Sequence, residues 1–206
     1  MQFSPIIKTA QQINYDAESF LSTYHPSLFI PIPIEDIIEL QMKMDIISIP
    51  GLKDSFEKMG LEIDAFISSD LKSISVDRYI YENRLNRYRF SLAHEIGHKI
   101  LHEYLYVQFK FNVRDQWIKV LNQIPISERQ IVEWQADEFA GLVLVPRLVL
   151  KNEYEIAIKE AETILKKSFE DNQSLVENIV IEYLLTEKFN VSKYVIRRRL
   201  ENDQLI

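Results

Sequence analysis

Near the start of the chain, apolar side chains return at helical spacing. Between Ser4 and Tyr24, Ile6, Ile7, Ala10, Ile13 and Ala17 form one stripe, which His25-Pro26 ends. A second, shorter helix is predicted from Pro33 to about Met42, with proline at its first position and Glu35 and Asp36 in its first turn. The pattern then changes period. Asp45–Ile49 reads as extended and is closed by Pro50-Gly51; Leu61–Ile67 alternates apolar with polar, and Ser73–Asp77 does so again after the polar turn Ser68–Asp70. These three stretches predict a small antiparallel sheet.

Beyond the strands the helical period returns. Asn83 to about Leu105 carries Leu85, Phe90, Ala93, Ile96, Ile100 and Leu101 on one long helix. An aromatic, irregular stretch (Tyr104–Trp117) and Pro125 follow. Ser127 with Gln130 then suggests a capping box opening a second helix, which runs through Ala140 until Pro146 stops it. From about Leu148 the chain reads as helical with a polar exterior. Between Leu184 and Leu200, two short amphipathic stretches flank a Phe-Asn-Val-Ser turn, the outline of a helix-turn-helix.

Composition removes several classes of function. Of 206 residues, 47% are hydrophobic and 27% charged, which excludes intrinsic disorder. Without cysteine there is no disulfide, thiolate metal site or Cys nucleophile. The four glycines (51, 60, 97 and 141) never form a G-x-G, so neither a dinucleotide fingerprint nor a phosphate-binding loop can be built. A net charge of −7 argues against unspecific attraction to nucleic acid. The opening residues lack a basic segment followed by an apolar one, and no apolar stretch approaches bilayer length. A soluble, cytoplasmic protein without membrane contact is the expectation.

The strongest chemical signal is His94-Glu95-Ile96-Gly97-His98. Histidines at i and i+4 lie on one helical face, about 6 Å apart along the axis. From there both imidazoles can reach one zinc ion at roughly 2.0–2.1 Å. Glu95, rotated about 100° from His94, sits beside the ion, where it can act as a proton acceptor. Manganese or iron suits the same donor types. His102 repeats the spacing but lies about 12 Å along the axis from His94, too far for one ion to hold all three histidines. On the second helix Glu133 and Asp137 share a face. Glu133 is the candidate third ligand, and Asp137 the candidate acceptor for the far nitrogen of a ligand histidine. Their apolar neighbours, Trp134 among them, suggest a largely buried helix, where unpaired carboxylates are costly.

Arg89-Phe-Ser-Leu-Ala-His-Glu-Ile-Gly-His-Lys-Ile-Leu-His102, followed by Glu133-x-x-Ala-Asp-Glu-Phe-Ala-Gly-x-x-Leu-Val-Pro146, resembles the ImmA/IrrE family of metallo-endopeptidases. The resemblance spans about residues 30–146, and Val191–Leu200 looks like the tail of many members. It implies an α+β, zincin-like core with a small antiparallel sheet and two motif helices over residues 1–147, and a helical C-terminal lobe over 148–206. It also implies zinc on His94, His98 and Glu133, with Glu95 as the catalytic base. The implied substrate is a protein, a helix-turn-helix repressor cut as a regulatory switch in transcription or in a mobile element. Gly141 stands where members often have alanine, and Leu144-Val145 replaces the usual Leu-Met.

Two rival readings stay open at the level of sequence. Residues 184–206 carry five basic side chains (Lys188, Lys193, Arg197, Arg198 and Arg199) against Glu187, Glu201 and Asp203, so this end can be read as touching nucleic acid or as a packing element. The protein can also be read as binding a repressor without cutting it, although an intact Glu95 favours cutting. His102, Tyr104 and Tyr106 are nearby polar candidates for stabilising a developing oxyanion, and none can be chosen from the sequence.

Overall fold

A computed structural model describes residues 4–57, 63–108, 114–121 and 123–206. Thr9 opens the first helix, α1 (Ala10–Tyr24): its hydroxyl accepts from the Gln12 N–H, and the Gln12 side chain accepts from the Thr9 N–H. That reciprocal cap places the start later than the apolar stripe suggested, and Ile6 and Ile7 lie outside the helix, exposed. The next helix, α2 (Ile34–Asp36), continues as a π-helical turn over Ile37–Gln41 and buries Ile34, Ile37 and Ile38.

Three strands follow: β1 (Asp45–Ile49), β2 (Ala65–Ile67) and β3 (Ser73–Asp77), with helix α3 (Leu52–Glu57) between β1 and β2. The sheet order is β1-β3-β2. β2 runs antiparallel to β3, as expected, but β1 runs parallel to it, pairing Ile47 with Ser75. The sheet is therefore mixed. Alternation tells which face of a strand is buried and says nothing of its direction; the long β1–β2 connection through α3 is what lets β1 lie parallel to β3. Leu61 and Glu62 of the predicted second strand lie outside the described residues.

Asp77 ends β3 and caps α4 (Arg78–Asn83), accepting from the Tyr79 and Ile80 N–H groups. A break at Arg84 leads into α5 (Leu85–Tyr106), followed by α6 (Arg114–Leu121), which begins within the stretch expected to be irregular. Then comes α7 (Ile126–Leu144), entered from Pro125 without a side-chain cap. Ser127 already lies inside this helix, so the expected capping box does not form. After Pro146 the chain is helical: α8 (Arg147–Leu165), α9 (Phe169–Ile179) with a π-helical continuation over Val180–Leu185, α10 (Thr186–Phe189) and α11 (Lys193–Asn202).

The packing of α5 on α7 positions the site. A Cβ on Gly97 would meet the backbone of Ala136 at 3.1 Å, so glycine lets the two helices approach at their crossing. Helix α1 packs on the same region, with Phe20 edge-on to Phe139 at 5.7 Å. The buried apolar set runs without interruption from Ile13 to Leu200, so the C-terminal helices share one core with the residues before Pro146. Arg89 stitches distant segments together by donating to the carbonyls of Asn190 and Ile32.

Candidate metal centre

The i, i+4 pairs do what their spacing predicts. On α5, the Nε2 atoms of His94 and His98 face each other at 3.0 Å. From α7, Glu133 brings Oε2 to 3.1 Å from His94 Nε2 and Oε1 to 3.8 Å from His98 Nε2. Two ligands on one tetrahedral zinc stand about 3.3 Å apart, so these atoms already have the spacing of a coordination sphere. His94 Nδ1 donates to Asp137 Oδ1 at 2.9 Å.

Among the described residues, His94, Glu95 and His98 form a cluster able to hold a cation, with one donor atom from each within 4.8 Å of the others. Glu95 reaches the cluster from the side. Its Oε2 accepts the main-chain N–H of Ile67 at 2.8 Å, a β2 contact that no linear motif signals.

Electrostatics favour positive charge at this point. Burial alone would lower the proton affinity of His94, but Asp137 and then Glu133 outweigh it and raise the pKa well above the usual histidine value. The proton so held sits where Glu133 and His98 Nε2 converge, and a divalent cation can replace it. His98 moves the other way, held well below the usual value by burial and then by His94 and His102. It stays neutral, with a lone pair to offer. Burial pushes the Glu95 carboxyl up to about 8, opposed by His94, reinforced by Glu133 and opposed again by the Ile67 N–H. The donor set of two imidazoles and one carboxylate thus fits a divalent ion.

The site opens into a cleft of about 820 Å³ lined by Ala65, Phe66, Phe90, Tyr106, Trp117 and Tyr194, among others. Glu133 and Asp137 line its open side, with side chains 44% and 39% exposed, and Trp134 is 40% exposed. The apolar neighbours on α7 therefore overstated how buried the carboxylate pair is. Tyr106 stacks on Trp117 with ring centroids 6.0 Å apart.

The three oxyanion candidates separate cleanly. The Tyr104 hydroxyl accepts the Ile6 N–H at 2.6 Å, while His102 is fully buried and lies 3.2 Å from His98 Nδ1, on the side away from the metal position. Only Tyr106 of the three lines the cleft. Burial, then Glu95 and Glu133, keep its phenol protonated.

At the C-terminal end the basic side chains are largely committed to partners within the fold. Arg198 pairs with Glu138, Arg199 with Asp203 at 2.6 Å, Lys188 with Glu153 at 2.7 Å and Lys193 with Glu182 at 2.9 Å. Arg197 is exposed. A Cβ on Gly141 would meet the Arg199 stem at 3.3 Å, a tight contact that Arg199 would have to yield to.

Two helices and a sheet edge that aim two imidazoles and a carboxylate at one point, with a further carboxylate beside it, have the make-up of a metallopeptidase centre. The chain belongs to the Peptidase_M78 family, described as the IrrE N-terminal-like domain, whose model matches residues 55–201. The match includes the motif residues of α5 and α7 and extends into α11, further than the two motifs alone suggested. No curated protein matches the chain. No helix among the described residues is long and apolar enough to cross a membrane.

Proposed function

We propose that this protein is a zinc-dependent endopeptidase acting on a protein substrate, and that the substrate is a helix-turn-helix repressor cut as a regulatory switch. The convergence of His94 Nε2, His98 Nε2 and the Glu133 carboxylate beside Glu95 carries the reading. His94, His98 and Glu133 would hold the ion. When bound, the cation polarises the scissile carbonyl and makes water more acidic.

The other parts are played by the chain itself. Glu95 accepts the proton of the attacking water and delivers it to the leaving amine. The Ile67 N–H holds that carboxylate in place, and Asp137 fixes the ring of His94. Because the Ile67 N–H turns away from β3, this border of the sheet faces the cleft, where an extended peptide can lie alongside it. A cleft of this size admits several residues of chain. The repressor rests on family resemblance, and the commitment of Arg198 and Arg199 to internal ion pairs weighs against the nucleic-acid reading of residues 184–206.

Glu95→Gln tests the proposal. The variant should keep about one zinc per chain yet lose roughly 10²–10⁴ in hydrolysis of a co-expressed candidate repressor. If it still silences that repressor in cells without cleaving it, the protein works by binding.

A further inference from the structure

His102 is fully buried, and both of its ring nitrogens need partners there. Its Nδ1 lies 3.2 Å from His98 Nδ1. Of two nitrogens facing each other, one must donate and the other accept. His98 Nε2 points at His94 Nε2 and Glu133 and has to keep its lone pair for that side, so the His98 proton sits on Nδ1. His102 Nδ1 is then the acceptor, and the His102 proton is placed on Nε2.

The other end of this chain of contacts agrees. His102 Nε2 and the Gln135 side-chain oxygen are both buried without a partner at ordinary hydrogen-bond length, and the two side chains interact. Gln135, itself fully buried, donates from its amide nitrogen to the Ile6 carbonyl at 3.1 Å. That bond commits the amide nitrogen and leaves the buried amide oxygen as an acceptor without a partner of its own. Ile6 is held in turn by its N–H, which donates to the Tyr104 hydroxyl.

Resting on the reading of His98 as a metal ligand, we propose that His102 and Gln135 are positioning residues: they keep the proton of His98 on Nδ1, so that Nε2 presents its lone pair to the metal. The two ligand histidines are thus oriented differently. His94 leans on a carboxylate at the open side of the cleft, and His98 leans on a neutral imidazole–amide pair that ends on the backbone of Ile6. An outer partner of this kind typically accounts for about 10–100-fold in metal affinity.

The test uses the full chain, with zinc itself as the probe. His102→Leu should weaken zinc binding, measured by competition with a chromogenic chelator, about 10–100-fold. His102→Asn, whose amide oxygen can stand in for Nδ1 as acceptor, should recover most of that loss. Nitrogen-15 spectra of the zinc-loaded wild type should show His102 protonated on Nε2 and His98 on Nδ1. Wild-type affinity in His102→Leu, or a His102 proton on Nδ1, overturns the proposal; if the leucine variant fails to fold, the wild-type spectra still decide. A wild type that binds no zinc would instead overturn the metal-site reading itself.

Discussion

The main-chain N–H of Ile67 donates to Oε2 of Glu95 at 2.8 Å, so the strand that borders the cleft also holds the carboxylate proposed as the base. Such a hydrogen bond contributes about 0.5–1.5 kcal/mol net, and more once the carboxyl is ionised, enough to bias where the buried Glu95 side chain points.

Ile67→Pro removes that donor and leaves the β3 ladder intact, since this N–H faces away from β3. The variant should retain zinc and lose about 10–100-fold in kcat, with a modest fall in melting temperature from the lost side-chain burial. Turnover measured beside zinc stoichiometry checks it. Unchanged turnover would mean that the Ile67 contact does not hold the working carboxylate.

Ligands and their supports should separate by metal content. His98→Ala and Glu133→Ala should lose the ion together with activity, and Asp137→Ala should weaken affinity by roughly 10–100-fold. Elemental analysis after reconstitution with zinc at neutral pH gives the stoichiometry of each. Full zinc in Glu133→Ala would remove Glu133 from the ligand set.

Tyr106 lines the cleft with its phenol kept protonated by burial, near Glu95 and Glu133. A donor aimed at a developing oxyanion typically contributes about 10²–10³ in kcat. Tyr106→Phe should therefore lower kcat by about 10² while KM and zinc content hold. A change confined to KM would place Tyr106 in substrate packing instead.

Tyr154 offers a check on the core away from the site. Its hydroxyl is buried without a partner, and burial, then Glu177, push its pKa up from the usual tyrosine value to about 12. For an acid with a raised folded pKa, stability is complete below the unfolded value and falls as pH rises from there to the folded value, here between about 10 and 12. At pH 11 the loss should be about 1 kcal/mol, and Tyr154→Phe should abolish it while costing little at pH 7. Denaturant melts at both pH values would show this. An equal alkaline loss in the Phe variant would assign the loss to other groups.

Much of the centre was legible in the linear chain because it is local. His94 with His98, and Glu133 with Asp137, share faces by the period of a single helix, and that period holds whatever the helix packs against. The donor types follow from side-chain chemistry alone, as does the exclusion of thiolate and phosphate-loop sites. The tertiary structure decided what depends on which segments meet. Alternation could not tell that β1 runs parallel to β3, and no motif placed Ile67 behind Glu95. His102, too far from His94 to share its ion, became the neighbour of the far nitrogen of His98 once side-chain directions were set. Arg198 and Arg199, which the sequence left open between touching nucleic acid and packing, turned inward to Glu138 and Asp203 because α11 packs against the core. Helical period and chemistry are properties of neighbours in sequence, whereas strand direction, hydrogen-bond partners and the fate of a charge belong to contacts between residues far apart along the chain.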